Sequence, residues 1–415
     1  MFIKRVVVLL VLILLFCMTP SGHAESNAPS LQQMLTQAEP GETLVVPAGI
    51  YHGPVTITKP IVLRAEPGAI IEGNGSGSVV TIAADDVTVE GFTIRHGGQN
   101  SSAHDAGVKV QGARVLIKDN RLEYTLFGVH LHRSSASHII GNRIEGSTET
   151  SVAKRGNGIH ITAGGSHMIE RNEIAHVQDG VYFDQTTGNT VQHNTVDRSR
   201  YGYHVMFSDH NRITANETKN SIVGAMVMAA NDITVRDNAF HHQMDVQGYG
   251  IFLYDVQASS VYGNHIFNNT IGIALDMVER TQLERNKIAH NAVGVKRMGE
   301  VEDTHLRENV LIGNVRQIGG DVSWSSDVWS RDSVGNYWDD YRGWDFNKDG
   351  IGDGAYRMAA DMQQVFEKHP FLGIFYASPL HQLLDHMAAD YPVFDEHPLM
   401  DIPLAEENQS KKENI

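Results

Sequence analysis

From Gly107 onward the chain repeats one arrangement of apolar and polar positions. Glycines at 107, 128, 158, 180, 202, 224, 250, 272 and 294 each open a segment whose first and third following residues form a column. That column reads Val108/Val110, Val129/Leu131, Ile159/Ile161, Val181/Phe183, Tyr203/Val205, Ala225/Val227, Ile251/Leu253, Ile273/Leu275 and Val295/Arg297; Arg297 alone is not apolar. Period-two alternation places these side chains on one side of a strand and their neighbours on the other. About 14 residues after each glycine comes an asparagine, at 120, 142, 172, 194, 216, 238, 264, 286 and 309. An apolar residue stands three before each asparagine, from Ile117 to Leu306. Another stands two after it, from Leu122 to Leu311, with Thr218 the exception. Five of the eight glycine spacings are 22; the others are 21, 30 and 26.

Three short strands per 22 residues predict an all-β protein, a right-handed parallel β-helix in which each coil buries its inward residues against the coils above and below, about 4.8 Å away. The asparagines are expected to stack at one corner and the glycines to supply turn backbone that a side chain would obstruct. An open coil exposes apolar surface, so both ends need caps. Ser30 followed by Leu31, Met34, Leu35 and Ala38 predicts a short N-terminal capping helix. The first coil starts near Gly41, and irregular coils are expected over 52–106. The divisions read as leader 1–24, capped β-helix 25–320, C-terminal cap 321–370, and a short irregular and helical tail 371–415. In that tail Ser378-Pro379 opens an amphipathic helix carrying Leu380, Leu383, Leu384 and Met387 on one face, a docking element.

Composition narrows the function. Lys4 and Arg5 precede an apolar run from Val6 to Met18, then Gly22 and Ala24 at small-residue positions, which predicts a secretory signal peptide cut after Ala24 and a periplasmic product. The one cysteine of the 415-residue chain, Cys17, lies in that leader. The mature protein therefore has neither a disulfide framework nor a cysteine zinc site. The formal charge of −16 argues against nucleic acid as a partner.

Candidate chemistry lies on the outward positions, two and four after each glycine. They read Lys109/Gln111, His130/His132, His160/Thr162, Tyr182/Asp184, His204/Met206, Met226/Met228, Phe252/Tyr254, Ala274/Asp276 and Lys296/Met298. Eight of these 18 are His or Met, in a chain with 22 His and 14 Met among 415 residues. His204, Met206, Met226 and Met228 occupy corresponding places on successive coils. Imidazole plus thioether is a soft donor set suited to Cu(I). The insertion between 224 and 250 carries His241, His242 and Met244, which would complete or cover this site, and His130, His132 and His160 form a second patch. An enzyme reading, as a polysaccharide lyase or epimerase, would rest on Tyr182, Asp184, His204 and Asp276. A metal-free structural adaptor is the third reading.

Near the end, Asp345, Asn347, Asp349 and Asp353 surround Gly350 in the manner of half an EF-hand loop, a weak Ca²⁺ candidate because Tyr356 stands where the bidentate Glu belongs. The leader, the G-h-x-h…N repeats and the closing segment GNYWDDYRGWDFNKDGIGDGAY together resemble the NosD family of periplasmic nitrous oxide reductase maturation proteins, over nearly the whole mature chain. The chain has Gly354-Ala355 where that family favours Thr-Pro. The resemblance implies a non-enzymatic role beside an ABC transporter permease and its ATPase, with a copper-donating lipoprotein and nitrous oxide reductase as further partners, in building a copper–sulfide centre.

Overall fold

The computed structural model describes residues 30–320, 329, 335–341, 343–357, 378–379 and 400–401. The predicted leader and nearly all of the predicted tail helix lie outside the described residues. What is described is a parallel β-solenoid of about 13 turns with one α-helix, consistent with the right-handed β-helix expected.

The helix, Leu31–Gln37, begins with a capping box: Ser30 accepts from the Gln33 backbone and the Gln33 side chain accepts from Ser30. It lays Leu31 and Leu35 over the open first coil. Three sheets follow the chain in rotation. The first runs from Thr43–Val46 to His305–Arg307, the second from Gly49–His52 to Tyr337–Trp338, and the third from Val55–Ile57 to Arg316–Gly319. Each strand pairs in parallel with its equivalents one coil away, and the region 52–106 carries the same three strands as the rest rather than irregular coils.

The corners hold the coils in register. Asn120 accepts from the Phe92 backbone N–H, and from Asn142 to Asn336 each ladder asparagine accepts from the backbone N–H of the asparagine one coil earlier, without a break. Asn336 belongs to the closing segment, so that segment begins as one more coil: Tyr337–Trp338 pairs with Val310 and Leu311. A second ladder, Asn269, Asn291 and Asn314, lines another corner. A third corner links His167, Asn189 and Asn211 in the same way.

The repeat glycines do a different job from the one expected. None of them has positive φ. The left-handed turn residue is the one before each asparagine, and Asp119, Arg171, His193, Ala215, Asp237, Arg285 and Glu308 all sit at φ between 52° and 55°. The glycines lie where coils pack closest. A Cβ on Gly224 would stand 2.3 Å from the Gly250 carbonyl oxygen and 2.6 Å from the Phe240 ring. At the C-terminal end Trp338 is buried, with the Tyr356 ring stacked on it at 4.2 Å, and Tyr356–Arg357 pairs antiparallel with Met400–Asp401.

Candidate functional site

The third sheet displays the outward His and Met positions in two straight columns. Strand pairing aligns His130, His160, Tyr182, His204, Met226 and Phe252 in one, and His132, Thr162, Asp184, Met206, Met228 and Tyr254 in the other. His204 is thus the register neighbour of Met226, and Met206 of Met228, as the sequence spacing predicts. Outward does not mean exposed here. His130 is 0% exposed, and His160, His204 and Met226 are each 7% exposed.

At His204 the burial comes with a charged partner. The Asp179 carboxylate accepts from Nδ1 at 2.9 Å, and Arg200 clamps the same carboxylate with Nε at 2.9 Å and Nη2 at 2.6 Å. Asp179 is buried, yet its pKa lies below the usual carboxylate value: burial raises it, and the hydrogen bonds from His204 and Arg200 outweigh that. With Nδ1–H given to a carboxylate, the lone pair of His204 is on Nε2, and that nitrogen is buried with no hydrogen-bond partner. The rings of Tyr182 and Tyr201 pack on the imidazole at 4.7 and 5.0 Å. Tyr182 Oη donates to the Met206 sulfur at 3.5 Å. Beyond it Met226 and Met228 sit in an apolar patch with Tyr201, Val223, Tyr249, Phe252 and Ile271. A buried, oriented imidazole bordered by thioethers and aromatic rings is chemistry for a soft monovalent ion.

The second patch gathers under the loop 97–105. His104, from that loop, reaches His130 and His160 with ring separations of 4.8 and 5.4 Å, and His130 lies 5.1 Å from His160 and 5.5 Å from His132. Burial disfavours the charged form of three of these imidazoles, pushing His130 down to about 2 and His160 to about 4, and lowering His132 as well. Asn157 donates to His160 Nδ1 at 3.0 Å while its own oxygen accepts from the Asp179 N–H, so His160 carries its proton on Nε2. That tautomer makes His160 a hydrogen-bond donor toward the cluster rather than a ready ligand.

The remaining candidates stand elsewhere. His241 ends a strand of the second sheet, bonded to Glu217 at 3.1 Å and to His242 at 2.7 Å and stacked on Phe267. Met244 is exposed in the loop that follows. The insertion thus puts its His pair on a different sheet from the His204 column. Asp345, Asn347, Asp349 and Asp353 turn their oxygens onto the loop's own N–H groups: Asp345 accepts from Asp349 and Gly350, Asn347 from Asp349, Asp349 from Ile351, and Asp353 from Phe346. Asp184 and Asp276 are partly exposed, and Met206, Met228 and Tyr254 stand between them in register. Among the described residues no three His, Cys, Asp or Glu side chains converge where a metal ion would sit. A metal at His204 would accordingly depend on thioether sulfur.

Comparison with known proteins follows the same line. Residues 140–343 match the family described as periplasmic copper-binding protein (NosD). A protein of Stutzerimonas stutzeri named "Probable ABC transporter binding protein NosD" is 32% identical, covering 94% of this chain and 93% of that one. The chain belongs to the NosD family. The protein of the same name from Pseudomonas aeruginosa is also 32% identical, over 93% of this chain and 94% of its own length. Among solved structures, a PL6 alginate lyase in complex with a trisaccharide superposes at TM-score 0.51 with 14% identity, covering 71% of this chain and 85% of that one. A second alginate lyase gives 0.50 with 15% identity, covering 66% and 74%. These two likenesses concern the fold alone.

Sequence reasoning missed Asp179, Arg200 and His104. The first had a readable signal: the position before the repeat glycine is Ala106, Phe127, Asn157, Tyr201, Val223, Tyr249, Ile271 or Val293 on other coils, and Asp179 is the one charged residue there.

Proposed function

We propose that this NosD-family chain, exported by a leader ending at Ala24, is a periplasmic accessory protein that takes up Cu(I) and positions it for assembly of the copper–sulfide centre of nitrous oxide reductase. It works beside an ABC transporter permease and its ATPase, with a copper-donating lipoprotein upstream. Copper is cargo here, and no bond is made or broken in a substrate. The observation that carries the reading is the buried, unpartnered Nε2 of His204, fixed as a lone pair by Asp179 and flanked in register by Met226, with Met206 and Met228 alongside. The family description and the names of the relatives support copper and the transporter.

The test is competitive Cu(I) titration of the mature protein and of a His204→Ala/Met226→Ala/Met228→Ala variant. The expected result is one tight Cu(I) equivalent lost in the variant. Unchanged stoichiometry and affinity would remove the site. Release of unsaturated uronate products from alginate by the purified protein would overturn the non-enzymatic reading.

A further inference from the structure

The arrangement around Asp179 does something that orienting a histidine does not require. A carboxylate on the far nitrogen of a metal-binding imidazole fixes the tautomer and raises ligand basicity. A neutral carbonyl acceptor fixes the same tautomer. A carboxylate also brings a negative charge, and its attraction for a bound ion scales with the charge of that ion. An uncompensated Asp179 would therefore stabilise Cu(II) about twice as strongly as Cu(I). In this protein the charge is cancelled on the spot. Arg200 approaches Asp179 through two nitrogens in a planar fork, the pair is buried to 1% exposure on the carboxylate side and 31% on the guanidinium side, and the Arg200 guanidinium rests on the Tyr201 ring at 4.3 Å. The neighbouring coils offer no such pair: Tyr201 and Val223 follow Asp179 in register.

We infer that the Arg200–Asp179 pair is the oxidation-state selector of the His204 site, orienting the imidazole through Asp179 while Arg200 removes the field that would favour Cu(II). This rests on the copper reading above. Both residues are positioning residues, since neither is placed as a ligand. Another carboxylate on this face, Asp184, is partly exposed and paired in register with Met206. It remains the same in every variant compared below, so it cancels from the comparison.

Opposite shifts from the two single substitutions are what separate this role from a structural one. Cu(I) and Cu(II) affinities are measured by competition with chelators of each state, and their ratio gives the potential of the bound couple. Arg200→Gln leaves Asp179 unbalanced and is expected to raise the Cu(II):Cu(I) affinity ratio at least tenfold, a fall of about 59 mV. Asp179→Asn keeps an oxygen for Nδ1–H but leaves the guanidinium unbalanced, so the ratio is expected to fall by a similar factor. The double variant Asp179→Asn/Arg200→Gln restores electroneutrality and is expected within threefold of wild type, as is Arg200→Lys. Shifts of the two single variants in the same direction, or ratios within twofold of wild type while Cu(I) still binds, overturn the inference. If Arg200→Gln does not fold, the double variant and Arg200→Lys decide: a tenfold shift in either refutes charge compensation. Wild-type Cu(I) affinity in His204→Ala would instead refute the site, and this inference with it. Loss of affinity there with an unmoved ratio in Arg200→Gln refutes the selector alone.

Discussion

Acidification is expected to destabilise this protein well above the range where carboxylates titrate, because three imidazoles are folded in neutral form. Burial lowers His130 to about 2, and His160 and His167 to about 4, against an unfolded value of about 6.5. A depressed folded pKa means that the unfolded chain binds the proton first as pH falls. The stability is therefore fully present above pH 6.5 and is lost progressively below it, down to each folded value. Each unit of separation is worth about 1.4 kcal/mol, so at pH 5 each of the three contributes about 2 kcal/mol of lost stability. The sum, about 6 kcal/mol as an order of magnitude, is comparable with the 5–15 kcal/mol of an ordinary domain. Groups facing the cluster work both ways: His104 disfavours a second charge, and Asp179 favours it at His160. His167 is independent of them, bonded at the corner where the next coils carry Asn189 and Asn211. Urea unfolding between pH 7.5 and 5.0 measures the slope in wild type, in His167→Asn, and in a His130→Gln/His160→Gln variant. His167→Asn is expected to remove about 2 kcal/mol of the loss at pH 5, and the double variant about 4 kcal/mol, by the same linkage. Identical slopes in all three proteins, or a wild type that gains stability below pH 6.5, would show that these imidazoles are not held neutral by burial.

Three further substitutions test the scaffold. Asn194→Ala removes the acceptor of the Asn172 N–H, at 2.9 Å, and the side-chain bonds to Ile169, Gln192 and Asn216; it should cost about 3–5 kcal/mol by urea unfolding, and a loss under about 1 kcal/mol would deny the ladder its role. Gly224→Ala places a Cβ against the Gly250 carbonyl and the Phe240 ring, so a loss of about 3 kcal/mol is expected, whereas a neutral result would mean that the coils can separate there. Trp338→Ala opens the C-terminal end beneath Tyr356 and should cost about 3–5 kcal/mol, with faster proteolysis of the last coils; an unchanged digestion pattern would count against a capping role.

The fold was legible because its rule is short-ranged and repeated. An inward apolar column, mostly Val, Ile and Leu and broken at Arg297, and an asparagine every coil leave little choice of register once strands are assumed. What the repeat could not show is a reversal of roles at single positions. The glycines looked like turn residues, yet the turns fall on Arg171, Ala215 and Arg285, whose side chains carry no mark of left-handed backbone; the glycines answer instead to the carbonyl of the next coil. The exception at Thr218 is a core position next to the bulk of Tyr203, which is fully buried where other coils have Val, Ile or Ala. The site was half legible for a related reason. His204, Met226 and Met228 stand out because a His/Met excess on outward positions is visible in one dimension. Loops break that legibility: 97–105 folds His104 onto the His130 of a later strand, while the insertion carrying His241 and His242 goes to another sheet. Asp179 and Arg200 fall between these cases. Asp179 is the one carboxylate among the residues that directly precede the repeat glycines, and Arg200 follows it by close to one full coil. One charged residue in an apolar column is ambiguous between error and function. Two of opposite sign at one repeat spacing predict a buried pair, and a buried pair beside an outward histidine predicts which nitrogen of that histidine is left to bind.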